Sequence, residues 1–193
     1  MRWKYAGWAF PAALSALIST PAPAANPVAA IQGNWVSDCL PLGQNGRHGL
    51  VIRVTVTSDS FGASGRMFAH NSCDAPVFDF VDHAVLGRAE PISGRWDLHL
   101  TLVSATMTIK NKSVADLYAQ SSKCGLATWQ VDVPMPVEGR TCEPVSFPPT
   151  GTILIAKARA TEDRLTIQDI SALFGAAPAD GIVLPQDVEF RRE

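Results

Sequence analysis

The sequence predicts an antiparallel all-β domain carrying one short helix. Alternation with period two is the first observation. Leu50, Ile52, Val54 and Val56 share one face, with Arg53, Thr55 and Thr57 opposite, and Trp96, Leu98, Leu100 and Leu102 oppose Asp97, His99 and Thr101. Such alternation marks half-buried strands, whose successive side chains point to opposite faces. The second observation is the number of short runs: further strands are expected at 33–38, 60–69, 77–86, 105–109, 128–133, 152–159, 164–168 and 187–191. Turn signals separate some of them, at 43–46, 89–94 and 147–149. Ten short strands in one chain imply an antiparallel sheet or barrel. The third is a single break in the pattern. Val114, Leu117 and Tyr118 fall at helical spacing within 112–121, after Asn111 as a candidate cap, and the segment ends before Cys124 and Gly125.

The chain has 193 residues, 47% hydrophobic and 18% charged, with a formal net charge of -2. That is enough apolar content for one packed domain, expected over 31–192 with no internal repeat or linker. There is no basic footprint for nucleic acid. No apolar run reaches the roughly 18 residues of a membrane helix. The first residues read as an export signal: Arg2 and Lys4, an apolar core from Trp8 to Ile18, then Ala22 and Ala24 in the small-x-small pattern before a cut. The signal peptide is expected to be 1–24, with cleavage after Ala25 as the alternative. The mature protein is then periplasmic or secreted, with no integral membrane segment.

Export changes how cysteines are read. Cys39, Cys73, Cys124 and Cys142 are an even set, and no two lie within four residues, so zinc knuckles are absent. Three pairings are open to four cysteines. Cys39–Cys73 and Cys124–Cys142 are favoured, because they close the shortest loops across turn-rich segments.

Three motifs in order carry a resemblance: Gly33-Asn34-Trp35 leading to Cys39, then Cys73-Asp74-Ala75-Pro76, then Cys124 to Trp129 leading to Cys142. Together they resemble a family of small secreted bacterial proteins of uncharacterised function. More distantly, they are similar to the barrel domain of the adenomatosis polyposis coli down-regulated protein, an extracellular Wnt inhibitor. The resemblance implies a lipocalin-like β-barrel able to hold an apolar ligand; the Wnt role does not carry over to a bacterial export signal. It also implies that Trp35 on the first strand closes the barrel floor and that Arg191, near the chain end, lies over its indole. The chain departs from the lipocalin pattern in lacking a Thr-Asp-Tyr motif, and the apolar small-residue stretch 173–178 has no place on such a barrel.

Candidate chemistry is sparse. Asp79 and His83 share a strand face while Asp82 points away, an arrangement that could orient a base. No Gly-x-Ser-x-Gly elbow accompanies it, and Gly62-Ala63-Ser64-Gly65 misses by one position. There is no phosphate loop. His48, His70, His83 and His99 are the candidate acid–base groups, His70 lying three residues before Cys73. No catalytic residue, metal or cofactor is expected. Met67, Phe78, Phe80, Leu98 and Leu100 are the candidate lining of a pocket for a small apolar ligand or lipid moiety. Asp82 shares the face of Phe78 and Phe80 and is expected near the strand end, where water at a barrel mouth would reach it. A filled core shows the same alternation, so the alternative is an envelope protein-interaction or inhibitor module without a ligand, its protein partner unknown. N-terminal sequencing of the exported protein should begin at Ala25; a start at Met1 would overturn the signal assignment.

Overall fold

The computed structural model describes residues 28–143, 145–170 and 187–193. The expected signal peptide and the 173–178 stretch lie outside the described residues. The elements are β1 (Gly33–Ser37), β2 (Leu40–Leu42), β3 (His48–Val56), β4 (Ser60–Phe68), β5 (Pro76–Ile92), β6 (Arg95–Ile109), α1 (Lys112–Gln120), β7 (Pro134–Pro136), β8 (Thr141–Cys142), β9 (Val145–Ser146), β10 (Ile153–Ala160), β11 (Arg164–Gln168) and β12 (Asp187–Arg192). Neighbours run β1-β12-β11-β10-β6-β5-β4-β3, and β3 pairs back onto β1. The result is a closed, eight-stranded antiparallel barrel. Strand β2 continues the line of β1 along β3 after a break at Asp38 and Cys39.

Closure rests on β1, which uses both edges: Trp35 lies opposite Arg192 of β12 and Val54 of β3. The Trp35 ring is fully buried, and its Nε1 donates to the Ile31 carbonyl at 2.9 Å. The Arg192 guanidinium stands 4.2 Å from the ring centroid and donates to the Gln32 carbonyl at 3.0 Å. The arginine over the tryptophan is therefore Arg192, one residue beyond Arg191. Alternation explains the offset. Phe190 is buried on the inner face, so Arg192 shares that face, while Arg191 points outward to Asp38 at 3.7 Å. Gly33 makes the approach possible: at φ 129° it is in a conformation that side chains avoid, and a Cβ there would stand 2.6 Å from Arg192 Nη1.

The barrel interior is packed. Trp35, Ile52, Phe61, Leu98, Leu100, Leu165, Ile167 and Phe190 are all under 2% exposed and belong to one cluster. Strands β5 and β6 are much longer than the alternation suggested. They form one hairpin turning at Ser93–Gly94, and β6 absorbs the two expected strands at 96–102 and 105–109. A register shift at His83/Ala84 leaves Val103 unpaired between Leu102 and Ser104. This bulge keeps Leu98, Leu100 and Leu102 inward and then Ala105, Met107 and Ile109 inward, with the parity changed between them.

Residues 110–143 and 145–151 form a cap on the far part of that hairpin. Asn111 caps α1 as expected, its side chain accepting from Ser113 N at 2.9 Å and Val114 N at 3.3 Å. The strand expected at 128–133 is absent; that stretch is irregular, with an isolated bridge between Ile109 and Val131. Cys124 and Cys142 are disulfide-bonded and tie the turn after α1 to β8. Cys39 and Cys73 are likewise bonded, tying the β1–β2 break to the β4–β5 turn. A Cβ on Gly49 would stand 2.5 Å from Cys73 Sγ, so the first bridge needs glycine there. Loops of 34 and 18 residues imply stabilisation of about 3–4 kcal/mol per bridge in the chain-entropy treatment.

The clamp makes a sharp contrast between neighbouring arginines. Arg192→Ala should lower unfolding free energy by about 1–2 kcal/mol through loss of the indole contact and stem packing. Arg191→Ala should change it by less than about 0.5 kcal/mol. Urea denaturation of both variants checks this.

Candidate functional site

The inner face of β5 reads Phe78, Phe80, Asp82, Ala84 in steps of two. Directly opposite residues in an antiparallel pair share a face. Phe78 lies between Met67 and Ile109, Phe80 between Gly65 and Met107, Asp82 between Ala63 and Ala105, and Ala84 between Phe61 and Leu102. Ala84 and Phe61 belong to the barrel cluster, whereas Phe78 and Phe80 pack on a second cluster under the cap. The candidate pocket residues are thus split. Leu98 and Leu100 are fully buried in the barrel cluster, Met67 packs on its edge, and the two phenylalanines sit under the cap.

The cap contributes aromatics that complete a row. Ring centroids are 5.5 Å apart for Trp129 and Tyr118, 5.5 Å for Tyr118 and Phe78, 6.0 Å for Phe78 and Phe80, and 6.2 Å for Phe80 and Phe147. These separations are within the range of favourable aromatic pairs. Trp129 Nε1 donates to the Lys123 carbonyl at 3.2 Å, so its polar atom is satisfied. Phe78, Phe80 and Tyr118 are half-buried, and burial pushes the Tyr118 phenol up. Tyr118 was visible in the helical spacing. Trp129 and Phe147 were legible only as part of a motif and a turn, because their partners are remote in sequence.

Asp82 is the exception in this apolar face. It is 3% exposed, and neither carboxylate oxygen has a hydrogen-bond partner. The sequence expectation placed it at a hydrated strand end. The strand instead runs ten residues further, to Ile92, leaving Asp82 mid-wall. Burial alone pushes its carboxyl up to about 8.

The remaining polar candidates sit elsewhere. Asp79 is on the outer face, held by Arg66 at 2.7 and 2.8 Å and by Lys110 at 3.7 Å. It is therefore engaged away from His83, which is exposed beside Gly62. His48 Nδ1 is 3.0 Å from the Ala69 carbonyl, His70 pairs with Asp74 at 3.0 Å, and His99 lies 3.7 Å from Glu90. Among the described residues, no group of three or more His, Cys, Asp or Glu could hold a metal. A shallow trough of about 450 Å³ crosses strands β3 to β5 along Arg53, Thr55, Gly62, Ser64 and His83.

The outer wall also carries apolar side chains. Thr101 has Val85 on one side and Ile153 on the other, and Val103 and Ile155 extend the strip. These four aliphatic residues are 49–67% exposed. No helix among the described residues is long and apolar enough to cross a membrane. The two disulfides fit an oxidising, extracytoplasmic compartment. No protein-family model matches the chain, and no curated protein matches it.

The buried carboxyl gives stability a pH dependence of known sign. Burial raises the Asp82 carboxyl to about 8 in the folded chain, against 3.8 for the free side chain. Stability contributed by the protonated form is whole below that lower value and is lost as pH rises towards the upper one, at about 1.4 kcal/mol per unit. Near neutrality the loss is about 4 kcal/mol. Denaturant midpoints from pH 4 to 9 should fall with rising pH in the wild type, and Asp82→Asn should remove that component of the slope.

Proposed function

We propose that the protein is an exported, disulfide-stapled barrel that binds a small apolar ligand, and does so at the aromatic row under the cap. The observation that carries this reading is the aromatic row itself, Trp129-Tyr118-Phe78-Phe80-Phe147, half-buried at Tyr118, Phe78 and Phe80 and buried at its two ends, beside a barrel interior already occupied by its own side chains. Aromatic faces at the edge of a packed cluster offer broad contact to an apolar molecule without a polar partner. The lipocalin-like character is supported by the closure through a first-strand tryptophan and a late arginine. Binding rather than catalysis is favoured because, among the described residues, no histidine is hydrogen-bonded to a serine, threonine or cysteine side chain.

A second reading draws on the strip of Val85, Val103, Ile153 and Ile155. Exposed apolar side chains gathered on one wall suit a protein contact, and the protein would then act as an interaction module with the aromatic row as plain core.

Titration with an environment-sensitive apolar dye separates the two. The ligand reading expects saturable binding to the wild type, a loss of at least tenfold in affinity for Tyr118→Ala and Phe80→Asp, and no change for Ile155→Lys. Non-reducing peptide mapping would confirm that both bridges form in each variant. A wild type without saturable binding overturns the ligand reading and leaves the outer strip as the working surface.

A further inference from the structure

Asp82 stands at a seam. One step along its face, Ala84 belongs to the barrel cluster; one step the other way, Phe80 packs under the cap. Its cross-strand neighbours are Ala63 and Ala105, and the Ala105 carbonyl accepts the N–H of Val137 from the cap at 2.9 Å. The carboxyl is thus walled by methyl groups and apolar side chains, with both oxygens unpartnered.

The groups facing it contain no counter-charge. On the inner face, β4 presents Phe61, Ala63 and Gly65, and β6 presents Leu102, Ala105 and Met107. The cap presents the fully buried Val137 and, next to it, Glu138, whose Oε2 is also buried without a hydrogen bond. Arg66, Asp79 and Lys110 form their own cluster on the outer face with Asp132, and His83 is exposed there. An ionised Asp82 would have neither a cation nor a donor, and a charge so placed must reach water.

The two sides of the seam are unequally held. Strands β4, β5 and β6 are joined by ladders running most of their length. The cap meets β6 through the three-residue pairing of β7 and a few separate backbone bonds, from Val137 to Ala105, Asp132 to Ile109 and Gly151 to Leu102. The cap also has its own staple, Cys124–Cys142, so it can move as a unit without unravelling. We propose that Asp82 is a proton-operated latch between barrel and cap: protonated, it lets the seam close; ionised, it admits water there and releases the 134–138 segment, uncovering Phe80 and Met107 while the barrel stays folded. The latch holds whether or not the aromatic row takes a ligand.

Amide hydrogen exchange on the disulfide-intact chain tests this, with rates corrected for the intrinsic effect of pH. From pH 6 to 9.5, protection in peptides spanning 134–138 should fall at least tenfold, with a midpoint near the value of about 8 set by burial of the carboxyl. Peptides from β3 should keep their protection. Asp82→Asn should hold the cap closed throughout, and Glu138→Gln should follow the wild type. A fall that persists in Asp82→Asn, or one shared equally by β3, overturns the latch. Should that variant not fold, the carbon-13 carboxyl resonance of Asp82 in the wild type decides: titration near 4, or a cap that stays protected through its titration, overturns it equally.

Discussion

Everything else in this protein depends on β1 pairing along both of its edges. With only five residues it joins β12 to β3 and turns an open sheet into a barrel. An open sheet would leave two rows of unpaired backbone groups, which closure removes. So short a strand provides few ladder bonds, and Trp35 supplements them. Its ring fills the floor, its nitrogen fixes the chain before the strand, and Arg192 covers its face from the strand on the other side. Gly33 is part of the same device, since any side chain there would collide with the guanidinium.

Once the barrel is closed, the β5–β6 hairpin has more length than the barrel needs. Its surplus carries a second hydrophobic cluster, and the cap is the material that covers it. The bulge at Val103 makes this possible, because it changes the alternation of β6 so that apolar side chains face inward on both sides of it. The cap has a nine-residue helix and three strands of two or three residues. Little of its backbone lies in regular ladders, and Cys124–Cys142 supplies the restraint that secondary structure does not.

Legibility in the sequence followed the reach of each interaction. Strands β3, β4, β10, β11 and β12 were readable within two residues because alternation is a local signal. Helix α1 was readable from Asn111 and three apolar positions. The two disulfides followed from loop length. What failed was set by partners distant in the chain. The segment 128–133 has apolar residues because Trp129 packs on Tyr118, not because it is a strand. Two expected strands proved to be one, since a bulge looks like a break when only alternation is read. Arg192 rather than Arg191 covers the indole because the parity of β12 is set by Phe190 being inside, which the sequence alone does not show. Asp82 was placed at a wet end because the length of β5 beyond Leu86 is decided by pairing with β6.

Asp82 is also where energetic and functional arguments meet. Folded domains are stable by only about 5–15 kcal/mol, so a buried carboxyl that withholds about 4 kcal/mol near neutrality takes a large share. A leucine or alanine at the same position would suit the methyl-lined wall better and would carry no such penalty. The penalty falls on one seam, between the barrel cluster and the cluster under the cap. Strain that is confined to the boundary between a rigid body and a separately stapled one is relieved by moving that boundary. Phe80, two residues from Asp82 on the same face, packs on the cluster under the cap and so lies next to that boundary.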